Sequence, residues 1–523
     1  MAKNKKIRAD DKKQSEEKKT KARVSVLTVK KSDGQTTSAE TSPQSISEKR
    51  QTFIEELKVR KAEQRAKSRR RRVIMILCIV LAVVILSSVG YAVALHVKYS
   101  RDGTYLRREV CMFTDDVSVD NAMMTYFVKS SYLSDLDLYG DEFEDNNLDP
   151  DKKLSEQSFQ DGTWLDVYLT SAEEQVEMML VLAQAATDAG VVLDEYDTAR
   201  IQTTMDSGMD ARMDPRITED DMRRCLELLT LASKYQQILM NSFSYTDAQY
   251  EEIYQASPAD FELYDCIRCE LYFDTLGGEN VAQEWAQTFT QCHTAEEFNA
   301  ALVRFYMETG GEMTQEQATQ RAEDCTLYNC TYTYDDVGDW AFEENRQVGD
   351  TYVYNDQTNQ RLLVFYMLRL PSRSEQRTVN VRQILFTPSV YGSIAGARSQ
   401  AQSVLSEWGT DPSERHFENL AHEYSEDSTA RSRGGLYEAV YPGSMNADVE
   451  SWCFDLARQT GDTGIVESED GIHLIYFVGE GLVRWKAMVD EKQRSDDYEI
   501  AYANLREKHP VTYVGESLEH IDI

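Results

Sequence analysis

Cysteine and histidine residues near position 270 have the types that could bind a metal ion. Cys266 and Cys269, followed by Cys292 and His293, contain the thiol and imidazole ligands of a zinc site. Cys266 to Phe273 has the composition of a strand, however, and residues i and i+3 of a strand point to opposite faces. Joint ligation of one ion is therefore geometrically poor, and we predict that the chain holds no metal.

Clustered carboxylates offer a second cation chemistry, since calcium prefers hard oxygen ligands. The spacing does not fit the helix-loop-helix calcium pattern, because Tyr139 and Asn146 stand where that loop needs an oxygen ligand and a bidentate Glu. We interpret the stretch as a solvated loop. Its carboxylates are Asp135, Asp137, Asp141, Glu142, Glu144, Asp145, Asp149 and Asp151.

Other enzyme signatures are missing from the 523 residues. There is no phosphate-binding loop, no Gly-x-Ser-x-Gly elbow and no zinc-protease motif. The net charge of −34 argues against a general nucleic-acid binder, which needs a cationic surface. In an oxidising compartment, Cys325 with Cys330 or Cys266 with Cys292 are conceivable disulfides.

The charge changes sign at one point of the chain. Residues 1–72 contain 23 Lys and Arg against 10 Asp and Glu, a net of +13, which leaves −47 for the remaining 451 residues. Between them lies the apolar run Val73 to Leu95, which as a helix would be about 34 Å long, enough to cross a hydrocarbon core of about 30 Å. The sequence predicts a transmembrane helix over residues 73–95.

The flanking charges predict its orientation. Arg69 to Arg72 precede the apolar run, and positive charge stays on the cytoplasmic side. We therefore expect a cytoplasmic N-terminus and an extracytoplasmic segment from residue 98 onwards. The alternative is a cleaved signal peptide, since Ala92-Val93-Ala94 resembles a cleavage site, but a charged region of 72 residues is too long for an ordinary one.

The two sides of the predicted membrane helix differ in character. Residues 1–72 have the composition of a disordered basic tail, within which Ser47 to Lys67 could instead form a basic helix on anionic lipid. Residues 98–260 contain long amphipathic patterns, as in Thr163 to Ala189 and Ile217 to Phe243, and predict a helical domain. A last helix is expected from Trp485 to Lys508, within the C-terminal segment 484–523.

An internal repeat organises the remainder of the chain. Val337 to Thr351 and Val449 to Thr463 share Val, Trp, Phe, Arg-Gln and Gly-Asp-Thr at a constant offset of 112 residues. We therefore expect two tandem modules, 262–371 and 376–482. Each contains a strand, helices and a closing extended pair, which predicts an α+β fold for each module within a multidomain α+β chain.

The second module contains a series of motifs over about 100 residues. They are Val381 to Phe386, Phe417 to Ala421, Tyr424 to Ser428, Arg433 to Leu436, Gly443 to Met445 and Gly471 to Ile475. In order and spacing these motifs resemble the parvulin-type peptidyl-prolyl isomerases. The chain order of membrane anchor, helical domain and modules is similar to the bacterial extracytoplasmic foldases of the PrsA and SurA type, in which the N-terminal helices and the C-terminal segment form one chaperone domain.

The resemblance also assigns roles to individual residues. It places Asp427, His473 and Gln383 at catalytic positions. It places Leu436, Met445, Val449 and Phe454 in the substrate-binding pocket for proline. The chemistry requires no cofactor, because the enzyme only has to stabilise a twisted prolyl amide.

Two of these positions depart from the family pattern. Gln383 stands where the family has a histidine, and Val449 where it usually has an aromatic residue. In the first module, ungapped comparison places Arg361 opposite His473, and no counterpart of Asp427 or Met445 is found between Thr309 and Tyr334. We expect the first module to serve as a degenerate binding or spacing module.

The sequence thus predicts a membrane-anchored extracytoplasmic isomerase and chaperone that assists the folding of secreted, proline-containing polypeptides. The alternative is a catalytically inactive chaperone or adaptor whose modules only hold extended peptide. A third hypothesis is a signalling receptor that uses the basic tail.

Overall fold

The computed structural model describes residues 43–145, 148–150, 152–518, 521 and 523. The chain divides into two compact units, Met1–Leu95 and His96–Ile523. The first described helix, α1, runs from Pro43 to Arg101. Residues 43–72 are therefore helical rather than disordered, because their Lys, Arg, Glu, Gln and Ala residues favour a helix that continues from the apolar run. The rest of the predicted disordered tail, residues 1–42, lies outside the described residues.

Within α1, the segment Arg72–Arg101 is long and apolar enough to cross a membrane, and none of its most apolar 18-residue window is buried. Two adjacent serine hydroxyls in this segment bond to the helix backbone. Ser87 donates to the carbonyl of Val83 at 2.7 Å and Ser88 to that of Val84 at 2.8 Å. Both hydroxyls are thus satisfied within the helix, as an apolar surrounding requires.

Helices dominate the segment from Thr104 to Ala256, here called the helical region. Its longer helices begin at side-chain caps: Thr163 accepts from the amide of Asp166, Thr218 from Asp221 and Asp194 from Asp197. The elements are α2 Thr104–Arg108, β1 Val110–Phe113, β2 Ser118–Asp120, α3 Asn121–Asp145, β3 Ser158–Phe159, β4 Gly162–Thr163, α4 Trp164–Asp188, α5 Glu195–Asp206, α6 Glu219–Ser242 and α7 Asp247–Ala256, with a 3-10 turn at Leu154–Glu156.

The C-terminal segment packs on the helical region. It contains α18 Arg484–Lys508, β13 Thr512–Tyr513 and α19 Gly515–Leu518. Strand β13 pairs antiparallel with β1, and the Asn121 amide donates to the carbonyl of Ser517 at 2.7 Å. Leu518, Ile521 and Ile523 join the core that α3, α4 and α6 build. The helices that follow α1 and the C-terminal segment therefore share one core.

Two four-stranded sheets with the same strand order follow the helical region. The first sheet has the order β6-β5-β8-β7 and the second sheet the order β10-β9-β12-β11. The first contains β5 Glu262–Tyr272, α8 Phe273–Leu276, α9 Glu279–Thr290, α10 Ala295–Thr309, α11 Gln315–Glu323, β6 Thr326–Cys330, α12 Asp336–Ala341, β7 Thr351–Asp356 and β8 Arg361–Arg373, after a 3-10 turn at Pro258–Asp260. The second contains β9 Val379–Phe386, α13 Pro388–Tyr391, α14 Ile394–Trp408, α15 Glu414–Tyr424, α16 Ser428–Arg431, β10 Leu436–Val440, α17 Ala447–Cys453, β11 Thr463–Glu467 and β12 Ile472–Glu480.

The register of the two sheets corrects the ungapped comparison of their sequences. Thr351 pairs with Tyr366 in the first sheet, and Thr463 pairs with Tyr476 in the second. Counting back from these pairs places Leu363, not Arg361, at the position of His473. The prediction for Arg361 was wrong because the hairpin of the first sheet is two residues longer.

Each face of the second sheet has its own apolar cluster. Ile384, Phe386, Leu474 and Tyr476 face helices α14 and α15. Val379, Val381, Ile475 and Phe477 face the other way, towards α17. Because neighbouring residues of a strand alternate between faces, Gln383 and His473 belong to the second of these faces. The sheet thereby directs both polar side chains to the side that carries Met445, Val449 and Phe454.

Candidate active site

Three predicted catalytic residues gather on one face of the second sheet. Gln383 lies on β9 and His473 on the neighbouring β12, where they are only 5% and 4% exposed. Asp427 precedes α16, and the Gln383 amide donates to its Oδ2 at 3.4 Å. The structure therefore brings together three polar groups that are 90 residues apart in the sequence at most.

Backbone contacts of the preceding loop hold Asp427 against β9. The Ser425 hydroxyl accepts from the amide of Leu385 at 3.2 Å, and the amide of Glu426 donates to the Leu385 carbonyl at 3.0 Å. Asp427 itself caps α16, since its Oδ1 accepts from the amides of Thr429 and Ala430. One carboxylate oxygen is thus used for the cap, and the other faces the sheet.

His473 is held by one hydrogen bond and leaves one ring nitrogen without a partner. Its Nε2 lies 2.7 Å from the hydroxyl of Ser468. Its Nδ1 and the Oε1 of Gln383 are both buried and unpaired among the residues that the structure describes. Burial lowers the pKa of His473, although Asp470 and Asp427 act in the opposite direction. The imidazole is therefore neutral at pH 7 and able to exchange hydrogen bonds with a ligand.

Apolar side chains lie beside these polar groups. Met445, the buried Val449 and Phe454 pack on the cluster that contains Val381 and Ile475. These three substrate-pocket residues of the sequence prediction are therefore grouped on the same face as Gln383 and His473. An apolar surface next to buried hydrogen-bonding groups is the composition expected of a small-ligand site.

Leu436 does not share this surface. It pairs with Arg382 across β10 and β9, and it lines a cavity of about 580 Å³ together with residues of α5, α6 and α15. Its neighbour Tyr437 packs on the apolar cluster of Met445 and Val449 instead. The placement of Leu436 in the proline pocket was wrong because successive residues of a strand face opposite sides.

Tyr437 is the site residue that the sequence comparison missed. Its hydroxyl donates to Oδ2 of Asp427 at 2.5 Å, the same oxygen that accepts from Gln383. Burial raises the pKa of Tyr437, and the neighbouring Asp427 raises it further. The hydroxyl therefore stays protonated and remains a donor. Strand alternation after Gly435 was the signal in the sequence that could have identified it.

The corresponding face of the first sheet has lost this polar arrangement. The pairing of Phe365 with Arg268 matches that of Ile475 with Gln383, which places Arg268 at the position of Gln383. Leu363 stands at the position of His473. In the first sheet a charged residue, Arg268, therefore replaces Gln383, and an apolar residue, Leu363, replaces His473.

The cysteines of the first sheet are separated in the way that strand geometry predicts. Cys266 packs with Trp340 on one face, and Cys269 packs with Phe289 on the other. All nine cysteines are free thiols. No cluster of three or more metal-ligating side chains occurs in the described part of the chain.

The geometry suits a reaction without a nucleophile or cofactor. Rotation about a prolyl amide faces a barrier of about 18–20 kcal/mol because resonance stiffens the C–N bond. A site accelerates it by binding the twisted amide more tightly than the planar one. An apolar surface beside buried donors and acceptors has the composition that such binding requires.

A comparison with family models assigns this part of the chain. Residues 365–480 match the PPIC-type PPIASE domain. Among curated proteins, foldase protein PrsA 1 of Listeria monocytogenes is 39% identical over 62 residues, which is 12% of this chain and 21% of the relative. The same protein of Listeria innocua matches equally. The match thus spans about a fifth of the length of these relatives.

Three solved structures align with parts of this chain at low identity and low TM-score. PrsA of Bacillus anthracis aligns with 52% of this chain and 91% of its own at 13% identity and a TM-score of 0.18. PrsA of Bacillus subtilis aligns with 56% and 88% at 15% identity and a TM-score of 0.18. A structure described as a SurA-like chaperone of Campylobacter jejuni covers 61% and 93% at 13% identity and a TM-score of 0.17.

The family model and the sequence motifs agree on the same residues. The match over 365–480 contains β9 to β12 and every residue of the polar cluster. Residues 365–480 of this chain are therefore similar to a PPIC-type peptidyl-prolyl isomerase domain.

Proposed function

We propose that the second module, residues 376–482, catalyses cis/trans isomerisation of prolyl bonds in unfolded polypeptides. The observation that carries this proposal is the grouping of Gln383, Asp427 and His473 beside Met445, Val449 and Phe454 within a PPIC-type domain. The apolar residues would hold the proline ring. The polar residues would favour the twisted amide over the planar one.

Each polar group has a specific task in this mechanism. The unpaired Oε1 of Gln383 would accept a peptide N–H, and the neutral His473 would exchange its bond to Ser468 for one to the client backbone. The carboxylate of Asp427 would stabilise the donors around it as the amide rotates. No proton has to leave the protein, so the rate should change little above pH 6.5, the ordinary pKa of histidine.

We further propose that residues 98–260, which include the helical region, form a chaperone domain for extended clients together with residues 484–523. The shared core of α3, α4, α6 and the C-terminal residues supports one folding unit built from both ends. The first module, 262–371, would bind or space the client without catalysis, since Arg268 and Leu363 replace the polar groups. The extramembrane charge of −47 favours basic clients, and this attraction should weaken as salt increases.

The proposed location is the outer face of a cell membrane. The segment Arg72–Arg101 would anchor the chain once, with the basic N-terminus in the cytoplasm. Secreted proteins would then meet the modules as they emerge. Protease treatment of intact cells tests this orientation: residues beyond 98 should be digested and the N-terminal tail should be protected, whereas digestion of the tail alone would contradict it.

The test of catalysis uses the full chain in nanodiscs and a chromogenic tetrapeptide with a central Xaa-Pro bond. We expect acceleration of the cis-to-trans phase, and we expect its loss in His473→Ala. A folded chain that leaves the phase at its uncatalysed rate would overturn the isomerase proposal.

A second candidate function is peptide holding without isomerisation. Gln383 favours it, since the family has a histidine at this position, and so does Val449, which stands where the family usually has an aromatic residue. An inactive chain that still suppresses aggregation of an unfolded client would support this function. Full catalysis in the tetrapeptide assay would exclude it as the main activity.

A further inference from the structure

Tyr437 brings an aromatic ring to the candidate active site from strand β10. The usual aromatic is replaced by Val449, which is only 1% exposed and belongs to the apolar cluster beneath the site. The half-buried ring of Tyr437 packs on that same cluster, together with Met445 and Phe454. An aromatic ring thus reaches this surface from the edge strand β10, in addition to Trp452 of helix α17.

The backbone before Tyr437 fixes the direction of its side chain. Gly434 and Gly435 adopt φ values of +62° and +74°. The backbone amide of Gln383 donates to the Gly435 carbonyl at 2.8 Å. Tyr437 then pairs with Val381. A register shift follows before Val440, where Ala439 has φ +51° and its amide donates to Asn380. The ring is therefore held inward by contacts on both sides of it.

The hydroxyl of Tyr437 completes the hydrogen bonding of Asp427. Oδ1 of this carboxylate accepts from the amides of Thr429 and Ala430, and Oδ2 accepts from Tyr437 and Gln383. The Tyr437 bond is the shorter of the two at Oδ2, 2.5 Å against 3.4 Å. Both bonds end on the same charged oxygen, and the bond at 3.4 Å is longer than a normal hydrogen bond, so Tyr437 rather than Gln383 sets the orientation of this oxygen.

We propose that Tyr437 is a specificity-determining and positioning residue of the isomerase site. Its ring forms the aromatic wall of the proline pocket in place of Val449, and its hydroxyl orients Asp427. The inference rests on the proposed function. It adds that one side chain, Tyr437, both contacts the substrate and orients the carboxylate of Asp427.

The two roles separate in two substitutions made in the full chain. Tyr437→Phe keeps the ring and removes the hydroxyl, so we expect KM within twofold of the unsubstituted value and kcat lower by about tenfold. Tyr437→Leu removes the aromatic wall, so we expect KM higher by about tenfold. Tyr441→Phe is the matched control, because Tyr441 stacks on Arg484 outside the site and its substitution should leave both constants unchanged.

Three results would overturn the proposal. Equal kcat in Tyr437→Phe would exclude the orienting hydroxyl. Unchanged KM in Tyr437→Leu would exclude the aromatic wall, and a faster Tyr437→Leu enzyme would show that the ring blocks the pocket. Circular dichroism of each variant confirms that the comparison is between folded proteins.

Binding measurements keep this proposal separate from the proposed function. If the unsubstituted chain catalyses nothing, fluorescence anisotropy of a labelled proline tetrapeptide replaces the kinetic assay. Weaker binding by Tyr437→Leu than by Tyr437→Phe supports the aromatic wall even then. Equal binding by both variants and the unsubstituted chain refutes it.

Discussion

Asp197 of α5 and Arg415 of α15 join the helical region to the second module through a hydrogen bond of 2.6 Å. They are 218 residues apart in the sequence, and Asp197 is completely buried. Lys234 contacts the same carboxylate at 2.5 Å, and Arg200 lies 3.6 Å from it. Arg415 also binds Glu418, which pairs with Arg382 beside Gln383. A continuous set of ion pairs therefore links the helical region to strand β9, where Arg382 faces the side of the sheet opposite Gln383.

Replacing the buried carboxylate should loosen this contact. In Asp197→Ala the cations Lys234, Arg200 and Arg415 keep their charge without a central partner. We therefore expect the free energy of unfolding to fall by about 3 kcal/mol. Hydrogen exchange of the full chain should become faster in α5 and α15 and stay unchanged in the first sheet. Asp206→Ala, at the exposed end of α5, is the control. Unchanged exchange in α5 and α15 would contradict a stabilising role for Asp197.

The carboxylate of Asp427 can be tested apart from its capping role. Asp427→Asn keeps an oxygen that accepts from the amides of Thr429 and Ala430, so the melting temperature should change little. We expect kcat/KM for the proline tetrapeptide to fall about tenfold, because the charge-assisted bonds to Tyr437 and Gln383 are weakened. Asp448→Asn, on the exposed first turn of α17, should have no effect. An Asp427→Asn enzyme with full activity would remove the carboxylate from the mechanism.

The contact between α5 and α15 should also make the stability of the chain depend on pH, through His422 of α15. Burial and the guanidinium groups of Arg200, Arg382 and Arg415 lower the pKa of His422 to about 4, although Glu418 lies 4.0 Å away. Since the unfolded pKa is about 6.5, the unfolded chain binds the proton first, and stability falls as pH drops from about 6.5 to about 4. The free energy of unfolding falls by up to about 3 kcal/mol between these two pH values.

Thermal unfolding between pH 7.5 and 4.5 measures this dependence. His422→Gln cannot titrate, so its melting temperature should fall less steeply than that of the unsubstituted chain over this range. Parallel curves for the two proteins would assign the pH dependence to other groups.

A close approach of two backbones makes Gly435 hard to replace. A Cβ atom there would lie 2.3 Å from the carbonyl oxygen of Gln383, and the residue has φ +74°. We expect Gly435→Ala to lose at least about 2 kcal/mol of stability and to displace Tyr437. Gly443→Ala separates the two causes, because Gly443 also has positive φ but no atom within 4 Å of its Cβ, and it should lose only about 1 kcal/mol. Equal losses in both variants would show that the contact with Gln383 does not matter.

Local patterns in the sequence were sufficient for several features. The apolar run from Val73 to Leu95 predicted a helix able to cross a membrane, and such a helix is found over Arg72–Arg101. The spacing of the parvulin motifs identified the domain that the family model places at 365–480. Both succeed because hydrophobic length and motif order are carried by neighbouring residues.

The direction of side chains on the edge strand was decided by the tertiary structure. Motif spacing assigned Leu436 to the pocket, but the pairing of β10 with β9 turns Leu436 away and Tyr437 inward. Likewise, only the sheet register identified Leu363 as the residue of the first module that is equivalent to His473 of the second. A shift of one residue reverses the face of every side chain on a strand, and a shift of two moves each to the next pair, so small differences in turns outweigh the motif.

The sequence by itself determined the long apolar segment, the order of the elements and the identity of Gln383, Asp427 and His473 as a related set. Only the tertiary structure brought Tyr437 to Asp427 and buried Asp197 against Arg415. The physical reason is the range of the interactions. Helix periodicity and motif spacing depend on residues a few positions apart, whereas burial and ion pairing across 218 residues depend on how the folded elements pack.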